Sequence, residues 1–255
     1  MVDTEAGAVF DQDDAGVRFD WGPTGAAQLS SSASCLVVVD VLSFTTAVSV
    51  VVGRGTAVIP CPSNDDGAEA LAASSGARLA VPRRQATTER PWTLSPVHLA
   101  NTPYTARLVL PSPNGSAIAA HVGGPVVAAC LRNAPAVGRW LVGEGYGTAE
   151  RPVAVVAAGE RWSDGSLRPA LEDALGAGAV LAALGGAGCR LSVEAAAVAD
   201  MYRASYDVGG AVRGCGSARQ LRQAGFDGDV EAAAALGRDD WVPVLHDGAF
   251  GAAHP

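Results

Sequence analysis

Asp40 ends an unbroken apolar run in C-L-V-V-V-D-V-L-S-F-T-T, residues 35–46. Leu36 to Val39 read as a strand buried on both faces, and Thr45 and Thr46 head a second apolar run that reads as a helix. A carboxylate at a strand's carboxyl end, beside a helix start with free N–H groups, is a common way to build a site. The acid can hold a cation, and the helix start favours an anion. Ligands of open α/β sheets bind at that edge. The competing reading is that Asp40 only caps a loop, and the motif alone does not separate the two.

Other polar residues also follow apolar runs. In N-G-S, Asn114 to Ser116, Gly115 permits a positive φ and Ser116 can cap a helix. Such a turn can present a nest of N–H donors to a phosphate or sulfonate, or it can be an ordinary turn. Arg132 and Asn133 follow another run. In A-A-G-E-R, Ala157 to Arg161, Glu160 can bind a metal or act as a base, and Arg161 can fork onto an oxyanion. A surface ion pair is the plainer reading, but the buried strand before it favours function. Glu172 and Asp173 open the next helix. Neighbours on a helix point about 100° apart, so spacing gives them no shared site. Leu171, Leu175 and Gly178 mark the packed face, which Glu172 borders and Asp173 faces away from. If the strands before these turns are parallel, the turns after Asp40, Asn114, Arg132 and Glu160 open on one edge.

Arg83, Arg84 and Arg90 lie in an irregular segment, residues 82–103, and could cover an anion. His98, His121, His246 and His254 show no metal-ligand spacing. No Cys is followed six positions on by Arg, and Leu42 stands where a paired-aspartate phosphatase needs Asp. The chain has no G-x-x-x-x-G-K-[ST] loop and no G-x-S-x-G elbow.

The elements that must position these residues alternate. Strands are expected at 17–21, 36–39, 56–61, 78–81, 106–110, 125–130, 152–158 and 241–245. Helices are expected at 65–75 (with Asn64 as cap), 134–146, 169–184, 192–206, 217–224 and 229–236, with a short one after Ser116. Residues 25–34 read as a loop or weak helix, and 159–168 as a polar loop. The alternation predicts a three-layer α/β/α sandwich around a mostly parallel or mixed sheet. Residues 1–16 are expected to be a flexible tail and 17–255 a single domain. The formal net charge of −8 makes nucleic acid and anionic membranes poor partners. Five cysteines without a CxxC pair fit a reducing, cytoplasmic setting. No run is long enough to span a bilayer.

Taken in order, these blocks resemble the 2-phosphosulfolactate phosphatase (ComB-like) family. The pieces are V-V-V-D-V-L-S-F-T-T-A at 37–47, S-P-N-G-S at 112–116, C-L-R-N-A-P-A-V at 130–137 and A-A-G-E-R at 157–161. L-E-D-A-L-G-A-G at 171–178, the helix from Asp200 to Tyr206 and Q-L-R-Q-A-G-F-D-G-D-V at 220–230 complete them. The resemblance implies Mg²⁺-dependent hydrolysis of a phosphate ester to 3-sulfolactate and phosphate, and a three-layer α/β fold. It raises Glu172 and Asp173 beside Asp40, Asn114, Asn133 and Glu160. The chain departs from the family at Ser43, where an Arg is usual, at P-R-R-Q-A-T, residues 82–87, and at L-S-P, residues 94–96.

The expected catalytic residues are Asp40, Glu160 and Asp173, with Mg²⁺ held among Asp40, Glu160 and Glu172. Thr45, Thr46, Asn114, Gly115, Ser116, Asn133 and Arg161 are expected to bind substrate, a small anionic phospho-acid, and Arg83, Arg84 or Arg161 could replace the family's missing arginine. A metal-bound water is the expected nucleophile, with direct attack by Asp40 as the rival. A non-catalytic anion binder and a phosphatase of another metabolite are the alternative functions. A homodimer is left open.

Overall fold

The computed structural model describes residues 10–63, 65–121 and 124–254. The strands are β1 (Val17–Trp21), β2 (Cys35–Val39), β3 (Ala57–Cys61), β4 (Arg78–Leu79), β5 (Arg107–Pro111), β6 (Val126–Ala129) and β7 (Val153–Ala157), followed by β8 (Glu160–Arg161), β9 (Leu167–Arg168), β10 (Val242–His246) and β11 (Ala249–Ala253). The helices are α1 (Gly22–Ser30), α2 (Phe44–Val52), α3 (Asp66–Ser75), α4 (Pro96–Asn101), α5 (Gly115–His121) and α6 (Ala134–Gly143), followed by α7 (Leu171–Gly186), α8 (Val193–Ala204), α9 (Val208–Gly214), α10 (Gly216–Gln223) and α11 (Asp227–Ala233).

Nine strands make one sheet in the order β1-β7-β2-β6-β10-β11-β3-β5-β4, and β8 and β9 form a separate hairpin. Residues alternate between its two faces, as strand geometry requires. Val37, Val39, Val127, Ala129, Val153 and Val155 enter one core, closed by α6 to α11. Leu36, Val38, Val126, Ala128, Ala154 and Val156 enter the other, closed by α1, α2, α4 and α5. A smaller cluster seats Ala68 and Ala72 of α3 on Ile59 and Val109. This is the expected three-layer sandwich. Among the described residues no helix is long and apolar enough to cross a membrane.

The sheet is mixed, in a way that alters one premise. β1, β7, β2 and β6 are mutually parallel, as are β3, β5 and β4. The antiparallel hairpin β10–β11 lies between the two blocks, and three antiparallel ladders in succession leave β5 opposed to β2 in ladder sense. Five steps separate β2 from β5. At roughly 20–25° of twist each, the accumulated rotation exceeds a right angle. The turns that follow β2 and β5 nonetheless meet, through the Gly115 N–H and the Asp40 carboxylate, although the two strands are not parallel.

Other differences have local causes. Residues 10–16 are not loose: the Gln12 side chain pairs with the backbone of Phe19 through bonds of 2.8 and 3.1 Å, and Ala15 is buried. Asp65 caps α3 by accepting the N–H of Gly67 (3.0 Å) and Ala68 (3.4 Å); Asn64 lies outside the described residues. The segment 82–103 contains a 3₁₀ turn at Arg83–Gln85 and α4. Helix α9 and strand β11 were not expected.

Helix α7 is buried from Glu172 through Leu181, whereas Leu171 is exposed. A helix covered on every side has no outward face, so the inference that Asp173 points away fails. Its glycines admit the neighbours. A Cβ on Gly178 would lie 2.6 Å from the Val198 carbonyl oxygen and 2.7 Å from the Tyr202 Cβ. Backbone cannot yield there, so Gly178→Val should lower stability by about 1–3 kcal/mol in urea unfolding.

Candidate active site

The tight turn after β2 fixes Asp40. The Asp40 carbonyl accepts the N–H and the hydroxyl of Thr45 (2.9 and 2.7 Å), and the Asp40 N–H donates to the same hydroxyl oxygen (3.0 Å). The Asp40 carboxylate is buried. Its Oδ1 accepts the Phe44 N–H at 3.2 Å and its Oδ2 accepts the Gly115 N–H at 2.9 Å. That second bond crosses from β2 to the turn after β5. Only glycine allows it, because a Cβ on Gly115 would lie 2.7 Å from the Asp40 Cβ.

Glu160, just past β7, completes the acidic end. Its Oε2 accepts a 2.9 Å bond from Asn114 Nδ2. Asp40, Asn114 and Glu160 line one wall of a cavity of about 870 Å³. Arg83, Arg84, Gln85 and Gln220 line other parts of it, with Leu42, Leu94, Leu221 and Phe226 between. Behind the acids, Asp173 accepts the N–H groups of Val41 (2.7 Å) and Gly159 (2.9 Å). Glu172 is buried and hydrogen-bonded to Cys215, and neither it nor Asp173 lines the cavity.

These carboxylates crowd one another. Burial pushes Glu160 up to about 7, with repulsion from Asp40 and Glu172 adding to it; the Asn114 bond and the Arg168 charge pull the other way. Burial likewise raises Asp40, against its two backbone N–H bonds and with Glu172 adding repulsion. Asp173 is raised by burial and by Asp40, Glu172 and Glu160. The Cys215 thiol is pushed up to about 12, by burial first and then by Glu172.

Several expected substrate contacts are engaged elsewhere. Thr46 donates to the Val41 carbonyl (2.8 Å) and Ser116 to the Cys61 carbonyl (2.7 Å), both fully buried. Fully buried Asn133 accepts the Cys130 N–H (2.8 Å) and donates to the Ala128 carbonyl (3.1 Å). With Thr45, these side chains shape turns and do not line the cavity. The Gly115 N–H, expected to hold an anion, holds Asp40 instead. Arg161 is exposed on the β8–β9 hairpin, donates to the Gly165 carbonyl (3.2 Å) and does not line the cavity.

The cations near the site are others. Arg168 acts on Glu160 and donates to Ser217 at 3.0 Å. Arg83 is held on three sides. It donates through Nε to Asp229 (3.1 Å), and through Nη2 to Ser43 (2.8 Å) and the Leu94 carbonyl (3.1 Å). Arg168 stood at the end of a segment read as a loop, and Asp229 is 146 residues from Arg83. Arg168 carries no local motif, and Asp229, although it falls in the block at 220–230, carries no local sign that it pairs with Arg83.

Among the described residues, no three His, Cys, Asp or Glu side chains form a ready-made metal site. The donor chemistry nevertheless suits Mg²⁺. It is commonly held by one or two carboxylates, waters and substrate phosphate, and Asp40 and Glu160 both line the cavity. A divalent cation there would also relieve the repulsion that raises both acids.

A three-layer sandwich with paired acids at strand ends over a cavity is the architecture of an α/β enzyme with its site at the sheet edge. A family model described as 2-phosphosulpholactate phosphatase matches residues 24–248, and the chain belongs to that phosphatase family. Comparison with curated proteins gives no match.

The position of Glu160 has a consequence for stability. Folding raises its pKa from 4.5 to about 7, so between those values the folded chain binds more protons than the unfolded one. Stability should therefore fall as pH rises through that window, by up to about 3 kcal/mol at 1.4 kcal/mol per unit. Asp40 and Asp173 act in the same direction. Urea unfolding in chelator should show this slope, and Glu160→Gln should flatten it.

Proposed function

We propose that the chain hydrolyses the phosphate ester of a small polyanionic acid in a Mg²⁺-dependent reaction. The family description makes 2-phosphosulfolactate the first candidate, with 3-sulfolactate and phosphate as products. The observation that carries the reading is the meeting of Asp40, Asn114 and Glu160 on one cavity wall, with Glu160 pushed up to about 7.

A carboxyl group balanced near neutrality can both take and give a proton. Glu160 takes the proton of an attacking water and returns one to the leaving oxygen. Asn114 fixes its orientation through the 2.9 Å bond. Each Asp40 oxygen already accepts a backbone N–H, which draws electron density from it and keeps it in place. Asp40 is thereby held as a fixed cation ligand, and attack is assigned to water. Asp40, with Glu160 beside it, would hold Mg²⁺, which would supply polarisation of the phosphoryl oxygens and offset their charge. The guanidiniums of Arg83 and Arg84 hold the far, acidic end of the substrate, a role expected of Arg161 from sequence. Arg83 brings the advantage of a plane fixed by Asp229, Ser43 and Leu94.

Release of inorganic phosphate from 2-phosphosulfolactate and a panel of other phosphate esters tests this. The unaltered chain should turn over with Mg²⁺ and stop in chelator. Asp40→Asn should abolish release, and Glu160→Gln should reduce kcat by about 10²–10⁴. Tight binding of the esters without turnover would instead identify an anion-binding protein.

A further inference from the structure

Asp173 is buried and does not line the cavity, yet both its oxygens are engaged at the site's foundations. Oδ1 accepts the Val41 N–H at 2.7 Å and Oδ2 accepts the Gly159 N–H at 2.9 Å. Val41 follows Asp40 and Gly159 precedes Glu160. One planar group thus joins the two turns that carry the cavity's acids. The packing of α7 supports the arrangement independently. A Cβ on Gly176, one turn along from Asp173, would lie 2.7 Å from Val41 Cγ2 and 2.8 Å from Val39 Cγ1. At Gly176 the helix therefore packs on the Val39 and Val41 side chains at the end of β2 with no side chain of its own between, and the Asp173 bond to the Val41 N–H places its first turn beside Val41. Gly159 has a φ of 66°, and a Cβ there would meet Leu167 at 2.8 Å. The turn before Glu160 is thus fixed by packing as well.

We propose that Asp173 is a positioning residue. It sets the separation of the Asp40 and Glu160 carboxylates by tying their turns to a single rigid group, and it touches neither substrate nor metal. This rests on the reading that Asp40 and Glu160 work as a pair, and it replaces the catalytic role expected for Asp173 from sequence. A hydrogen bond from each turn to a separate acceptor would let the turns move apart independently. A shared acceptor does not, and small misplacements of reacting groups are expensive in rate.

The first test uses the unaltered chain. Hydrogen exchange followed by NMR should find the amides of Val41 and Gly159 as protected as those inside β2 and β7, although both lie in turns. Free exchange at either one overturns the proposal. Asp173→Asn then sets an amide N–H against one of the two backbone N–H groups. In that variant both amides should exchange more than about tenfold faster, with the rest of β2 and β7 unchanged. On the best phosphate ester, kcat should fall about 100-fold while KM moves less than about threefold. A loss confined to KM, or unaltered exchange, refutes the role. Asp173→Glu keeps the charge one methylene further out and serves if the Asn variant fails to fold. A comparable kcat loss supports positioning, and full activity overturns it. If the unaltered chain hydrolyses no phosphate ester, the proposed function fails, and the exchange measurements decide the tie alone.

Discussion

Everything at the candidate site hangs on the 2.9 Å bond from the Gly115 N–H to the Asp40 carboxylate. It joins the ends of two strands that lie five places apart in the sheet. A buried carboxylate needs donors to remain tolerable, and here the donors are backbone amides of its own turn and of the facing one. The requirement works in both directions. Asp40 is held still because the turns meet, and the turns can meet because residue 115 has no side chain. Replacing Gly115 would separate the two halves of the cavity wall at their closest approach.

The electrostatic consequence is an acidic centre with too few cations. Burial and the neighbouring carboxylates raise the protonation of Asp40, Glu160 and Asp173, and at Glu160 the Asn114 hydrogen bond and the Arg168 charge oppose it. Arg83 is balanced by Asp229, which also accepts from Ser95 and from the Val97 N–H at 3.3 Å. That ion pair binds α11 and the start of α4 to the segment after β4. It makes the basic wall of the cavity as rigid as the acidic one. The cavity lining thus combines fixed acidic and basic side chains with apolar residues.

Much of the fold was legible because burial on both faces leaves an unmistakable mark. Runs such as V-V-V before Asp40 and V-A-V-V-A before Gly159 can hardly be anything but central strands. Asp40, Asn114 and Glu160, which line one cavity, stood out because each ends or closely follows such a run. Thr45, Thr46, Ser116 and Asn133 were taken for ligand contacts because small polar residues serve a turn and a ligand equally well in one dimension. Glu172 and Asp173 were misjudged because α7 is enclosed all round, which erases the apolar stripe that helix-face reasoning needs. Arg168 was hidden because a two-residue strand has no period. Strand β11, A-F-G-A-A, looks weak, yet the Asp247-Gly248 pair before it, with φ of 49° and 77°, is a strong short hairpin signal.

That hairpin has a bearing on how the chain is made. β10 and β11 fill the gap between the two parallel blocks, pairing with β6 on one side and β3 on the other. As the polypeptide leaves the ribosome, both blocks can emerge long before residues 242–253 do. Until then β6 and β3 present bare edges, the kind of surface that recruits other nascent chains. The step that closes the sheet thus waits for residues 242–253, and a chaperone able to shield those edges meanwhile would have a clear task.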